Sequence, residues 1–146
     1  MGRLVSVRTR ERAARLRGER GETLIEFAYA SLIFFAMVFG ALEFGIGVWN
    51  YNLVSNLAQE GARYAAVHGK NSGSAVGNTE VQNYVNARAS GLLTGVVATT
   101  PLGAPNTKVP GTIVDVTVAY NISVGGGLLP FWNIPIQSSA QMVVAR

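Results

Sequence analysis

Cysteine is absent from this 146-residue chain, and histidine occurs once, at position 68. The first absence excludes a disulfide framework, a thiolate nucleophile and a cysteine-type zinc site. The second excludes a His-rich metal cluster, and most hydrolase and metalloenzyme templates go with it. Charge is scarce too: Asp, Glu, Lys and Arg make up 14% of the residues, against ~25% in soluble chains, while hydrophobic residues reach 49%. That balance argues against disorder over the whole chain, because disordered chains are polar and charged. Proline does not occur before Pro101, so no residue ahead of it breaks a helix outright. The length fits one domain.

The charges that exist are unevenly placed. Residues 1–21 hold seven arginines against Glu11 and Glu19, a net +5, whereas residues 22–146 carry five basic against six acidic side chains, a net −1. The basicity therefore belongs to a leader. Such asymmetry points to a topogenic signal or to a tail for membrane or nucleic acid.

The residues after the leader favour the topogenic reading. From Phe27 to Leu42 no residue is charged, which gives roughly 24 Å of helix. Only Glu26 and Glu43 interrupt the longer apolar stretch from Thr23 to Trp49. A span needs ~20 predominantly apolar residues, so a single transmembrane helix is expected rather than a buried core helix. Arginine-rich flanks stay cytoplasmic, which puts residues 1–21 inside and the chain after Trp49 outside. A secretory signal peptide would need a small-x-small site after the apolar run. Ala28-Tyr29-Ala30 has that form but stands at the start of the run, so the apolar segment is expected to remain in the mature protein.

Residues 21–27 read Gly-Glu-Thr-Leu-Ile-Glu-Phe. This resembles the type IV prepilin motif: a glycine, a cut, and a glutamate at the fifth mature position. Glycine lets an extended backbone enter a membrane protease. Glu26 would lie just inside the bilayer, where a charge is costly and needs a partner; a snorkelling interfacial carboxylate is the plainer reading. The resemblance implies cleavage by a prepilin peptidase between Gly21 and Glu22. It also implies that Glu26, followed by Phe27, neutralises the amino terminus of a neighbouring subunit. A first mature residue of Glu22 departs from the commoner hydrophobic or aromatic one.

One helix is expected from about Leu24 to about His68. Trp49, Leu53, Leu57, Gly61 and Tyr64 recur at helical spacing, with Val54, Ala58, Ala62 and Ala65 alongside. Gly69 and Asn71-Ser72-Gly73 supply its stop. Within the apolar run, Ala36/Gly40 and Ala41/Gly45 are small-xxx-small pairs of the kind that let helices associate in lipid.

Glu43-Phe44-Gly45, then Ala58-Gln59-Glu60-Gly61-Ala62-Arg63-Tyr64-Ala65-Ala66, is similar to the TadE family of pilin-like proteins of tight-adherence systems. Those proteins carry a Glu-Phe-Gly-like end to the apolar run and an A-x-E-G-A-R-x-A-A box on the helix after it. The resemblance covers residues ~18–68. It implies a minor pilin or pseudopilin role, with the bilayer, other pilin-like subunits and a prepilin peptidase as partners. The residues of the box also have a plain structural reading. Glu60 and Arg63 can pair at i, i+3. Gly61, Ala62, Ala65 and Ala66 form a smooth strip that can receive either the chain's own sheet or a neighbour's helix.

Beyond the loop, Thr79 can cap a short helix reaching about Ala89, with Val81, Tyr84, Val85 and Arg88 at helical spacing. Leu92–Thr99 is expected as a strand, and residues 100–111, with three prolines, as a loop. Thr112–Val124 alternates clearly, Val114, Val116, Val118, Tyr120, Ile122 and Val124 on one side, and Asp115, Thr117, Asn121 and Ser123 on a wet side. Ile134–Ala145 alternates likewise. Gly125-Gly126-Gly127 lacks the Lys-Ser/Thr ending of a phosphate loop. Leu128-Leu129-Pro130-Phe131-Trp132 reads as an apolar loop that caps the core or forms a partner patch.

Few antiparallel strands cannot stand alone in water. The expected architecture is therefore α+β and pilin-like, a long N-terminal helix packed on a small antiparallel sheet. The expected organisation is a leader over 1–21, the transmembrane half of the helix over 22–48, and an extracytoplasmic domain over 49–146. No catalytic residue, metal, cofactor, nucleic acid or small-molecule substrate is expected; His68 and Asp115 read as a helix-end histidine and a solvated carboxylate. An uncleaved single-span scaffold, whose outer domain binds envelope partners, is the alternative reading. An Arg-arm nucleic-acid module is a third and lacks a basic soluble fold.

Overall fold

Arginine, alanine, leucine and glutamate, all strong helix formers, dominate the first twenty residues, and no proline occurs before Pro101. Accordingly α1 is unbroken from Gly2 to Val67, starting well ahead of the Leu24 that apolar periodicity marks. The computed structural model describes the backbone of residues 2–124 and 132–145, and the side chains of residues 21–123 and 133–145. The chain forms two compact units, Met1–Leu42 and Glu43–Arg146.

The first unit is helix alone. Its large apolar side chains are exposed on every side, from Leu24, Phe27 and Leu32 through Phe35, Met37 and Leu42. An apolar helix of this length whose large apolar side chains are exposed matches a membrane span. Part of the stretch Gly21–Val67 is long and apolar enough to cross a bilayer, and none of that part is buried.

The second unit packs the last part of α1 on α2 (Asn78–Ala89) and a three-stranded antiparallel sheet of order β1-β2-β3. The strands are β1 (Val97–Thr99), β2 (Ile113–Val124) and β3 (Trp132–Val143). Register pairs Val118 with Ala98 on one side of β2 and with Ser138 on the other. The core joins Val54, Leu57, Ala58, Ala62 and Ala65 of α1 to Val81, Val85 and Ala89 of α2 and to Val114, Val116 and Val118 of β2. Trp49, assigned to the packing face by spacing, stands outside it and is half exposed.

The departures from expectation have local causes. Gly77, not Thr79, is the cap of α2, and its N–H donates to Glu80 Oε2 at 2.8 Å; a carboxylate in the first turn satisfies an otherwise orphaned donor. The strand expected from Leu92 shrinks to three residues. Gly91 (φ +85°) and Gly95 (φ +80°) take left-handed conformations that interrupt an extended ladder. The edge of β1 is covered instead: the Gln82 amide accepts from Ala98 N–H and donates to Val96 O, which blunts a strand edge that could otherwise recruit another. Asp115, expected on a wet face, is buried opposite Gln141 on the central strand, and its Oδ1 has no hydrogen-bond partner among the described residues. Period two assigns Asp115 to one face of the sheet but does not say whether that face meets solvent. Gly125-Gly126-Gly127 and the Leu128–Phe131 part of the apolar loop lie outside the described residues, while Trp132 opens β3.

Candidate functional site

Two parts of α1 carry the expected functional residues. The first is the segment around the apolar run. Gly21 lies inside the helix, and a Cβ built there would meet nothing within 4 Å. A helix-interior glycine costs ~1 kcal/mol relative to alanine, and no packing among the described residues requires it. Glu22, Glu26 and Phe27 are exposed. Among the described residues Glu26 has no ion-pair partner. Ala36, Gly40, Ala41 and Gly45 are exposed as well, and Gly40 and Gly45 likewise have open space where a Cβ would stand. The two small-xxx-small pairs are five residues apart. At ~100° per residue they occupy separate faces of the helix, so two neighbouring backbones could approach it. Phe34, Phe35 and Phe39 make ring contacts along the same run, at 5.5 and 6.3 Å between centroids.

The second part is the box. Gly61, Ala62, Ala65 and Ala66 are all buried, and a Cβ on Gly61 would come within 3.0 Å of Val85 Cγ2 and 3.1 Å of Val116 Cγ1. The strip therefore receives the chain's own elements: α1, α2 and β2 meet at Gly61, where a methyl group is already a tight fit. The C-terminal end of the sheet is tied to the same turn, with Ala145 N–H donating to Ala66 O at 2.9 Å.

The charged members of the box do not pair with each other. Glu60 meets Arg88 of α2 at 3.3 Å. Arg88 also donates to the Tyr84 hydroxyl at 3.2 Å and lies over the Tyr84 ring, 5.4 Å from its centroid. Tyr84 stacks on Tyr64 at 4.2 Å with the planes 4° apart, and the His68 ring lies 4.4 Å from Tyr64. A column thus runs from Glu60 through Arg88, Tyr84 and Tyr64 to His68, joining α1 to α2. Arg63 is exposed and lines the clefts on either side of the pair. Spacing alone misses this column, because its links cross between helices; the i, i+4 pairs Tyr64/His68 and Tyr84/Arg88 were the visible signal.

Chemically the column is a clamp. Both partners of the ion pair are about half exposed, and exposed pairs contribute little. Replacing Glu60 by Gln is expected to lower stability by less than ~1 kcal/mol, read by denaturant titration of the full chain in detergent. A loss above ~2 kcal/mol would mean that the pair, and not the aromatic stack and the Gly61 crossing, holds α2 in place. Among the described residues no group of three or more His, Asp or Glu could hold a metal ion.

No curated protein and no solved structure matches the chain significantly. The family model described as TadE-like protein matches residues 21–63, a segment that runs from Gly21 through the apolar run to Arg63.

Proposed function

From a TadE-like segment that begins at Gly21, we propose that this chain is a pilin-like structural protein, a minor pilin or pseudopilin of a Tad-type type IV pilus or its assembly system. A prepilin peptidase removes residues 1–21 by cutting between Gly21 and Glu22. Residues 22–48 span the bacterial inner membrane, and the sheet domain faces away from the cytoplasm. The arginines hold the leader inside. The protein binds no nucleotide and catalyses nothing, so energy for assembly comes from other components; its partners are lipid, other pilin-like subunits and the peptidase.

One observation carries this reading. Gly21, a helix-interior glycine with open space where a Cβ would stand, lies five residues ahead of an exposed Glu26 at the mouth of an apolar helix whose Ala36, Gly40, Ala41 and Gly45 are exposed. Each of these features costs stability or solubility in an isolated molecule, and each has a use in a bundle of processed subunits. A second observation favours the uncleaved scaffold: α1 is unbroken across Gly21–Glu22, so a protease must first unwind it. Glycine lowers the cost of that unwinding.

Replacing Glu26 by Ala tests the assembly role. A lone carboxylate at the bilayer margin costs up to ~3 kcal/mol unless compensated, so its removal leaves insertion and cleavage intact. Recovery of the protein in sheared pilus or assembly fractions should fall at least about ten-fold, corresponding to ~1.4 kcal/mol of lost pairing per subunit. Normal recovery with normal cleavage would remove the neutralising role from Glu26.

A further inference from the structure

Below the box, within the Glu43–Arg146 unit, α1 and the end of the β2–β3 ladder enclose an apolar cleft of about 360 Å³. Phe44, Val48 and Tyr51 line its helix side; Ile122, Ile134 and Ile136 line its sheet side. Ile122 and Ile134 are register partners, and Ile136 pairs with Tyr120. Several of these side chains stay open, Phe44 at 75%, Tyr51 at 52% and Ile134 at 46%. Trp49 and Ile46, beside them on the helix, are exposed too. So much contiguous exposed apolar surface is uncommon on a soluble domain.

Helix arithmetic says what covers it. If Glu26 marks the inner boundary, a ~30 Å hydrocarbon core at ~1.5 Å per residue ends near residue 46. The outer headgroup layer then reaches roughly residues 49–51, which are Trp49, Asn50 and Tyr51. Trp and Tyr concentrate at that depth. The cleft brings the three isoleucines to Phe44, Val48 and Tyr51, so the end of the sheet shares their depth. The geometry points to a second membrane contact: the Ile122/Ile134/Ile136 end of the sheet is seated in the outer headgroup–acyl boundary, and lipid acyl chain fills the cleft. This inference rests on the reading of residues 22–48 as a span. Glu43 lines the same cleft, half-buried. By contrast α2 packs against Glu60 and Tyr64, about 20 Å or more beyond the hydrocarbon edge. The sheet end would fix the tilt and rotation of the domain on the membrane before any partner engages it.

The absence of native cysteine allows a direct test. Full-length single-cysteine variants Phe35→Cys, Ile134→Cys, Tyr51→Cys and Asn83→Cys are labelled with bimane and reconstituted into phosphatidylcholine–phosphatidylglycerol vesicles carrying nitroxide lipids. Tyr51→Cys reads the cleft from the helix, so the result does not depend on β3 tolerating its label. The expected result is quenching of the Ile134 and Tyr51 labels by nitroxide at shallow acyl depth, at least about two-fold stronger than for Asn83, whose helix lies well outside the bilayer. The Phe35 label should respond to deep nitroxide. If Phe35 is quenched but Ile134 and Tyr51 behave like Asn83, the sheet contact is wrong and the span stands. If none is quenched, the span itself is wrong and the contact falls with it. Bimane self-quenching at Ile134 that disappears when the protein is diluted in lipid would mean that a second copy, not lipid, covers the cleft.

Discussion

Leucine at position 61 should unfold the Glu43–Arg146 unit, while alanine there should be nearly silent. A Cβ at Gly61 already stands 3.0 Å from Val85 Cγ2 and 3.1 Å from Val116 Cγ1. A few tenths of an ångström of relief admits a methyl group, and the gain in helix propensity of up to ~1 kcal/mol offsets the strain. Leucine adds three further carbons where Val85 and Val116 are at most 1% exposed and belong to two different elements, so neither can swing aside. Overpacking of this kind costs typically 1–3 kcal/mol and more when it separates elements. For a unit of about a hundred residues with ~5–15 kcal/mol of stability, separating α2 and β2 from α1 is enough to lose the cooperative transition. Thermal unfolding of the full chain in detergent, followed by near-ultraviolet circular dichroism, reads the difference. A wild-type transition for Gly61→Leu would mean that the three elements do not meet at this residue.

Tryptophan at position 21 should abolish removal of the leader and leave the fold untouched, the opposite pattern. Among the described residues, nothing beyond the helix's own backbone lies within 4 Å of a Cβ there, so bulk meets no neighbouring element. A peptidase that takes the backbone in an extended form has no such tolerance next to the bond it cuts. Gly21→Ala should reduce cleavage only in part, since its methyl adds little bulk but raises helix propensity by ~1 kcal/mol and resists the local unwinding. Immunoblotting of membranes from cells that express each variant with the cognate peptidase separates the precursor from the mature form. Equal processing of Gly21→Trp and wild type would move the cut elsewhere.

These two glycines also show what a linear reading can and cannot reach. The uncharged run from Phe27 to Leu42 needs only composition, so the exposed apolar helix was legible directly. The sheet was legible where period-two alternation was strong: Val114, Val116 and Val118 are fully buried, as their spacing predicts. Gly61 was legible as part of a smooth strip, but not what would fill it, because Val85 and Val116 arrive from distant parts of the chain. Glu60 illustrates the same limit: Arg63 is its neighbour in sequence and Arg88 its partner in space. Asp115 alternates like a solvent-facing residue yet is buried, since period two assigns a face and not what covers that face. The start of α1 was missed because apolar periodicity marks packing, whereas the arginine-rich leader is helical by propensity alone.

The central claim is that the leader is removed at Gly21 and the apolar helix kept. Intact mass together with N-terminal sequencing of the protein taken from its native membranes tests it most directly. The expected mature chain begins Glu22-Thr23-Leu24-Ile25-Glu26 and retains Phe27–Leu42. An amino terminus that still carries the arginines of residues 3–20 would contradict the claim and make the protein a permanently anchored scaffold; one beyond Leu42 would remove the membrane helix from the mature protein altogether.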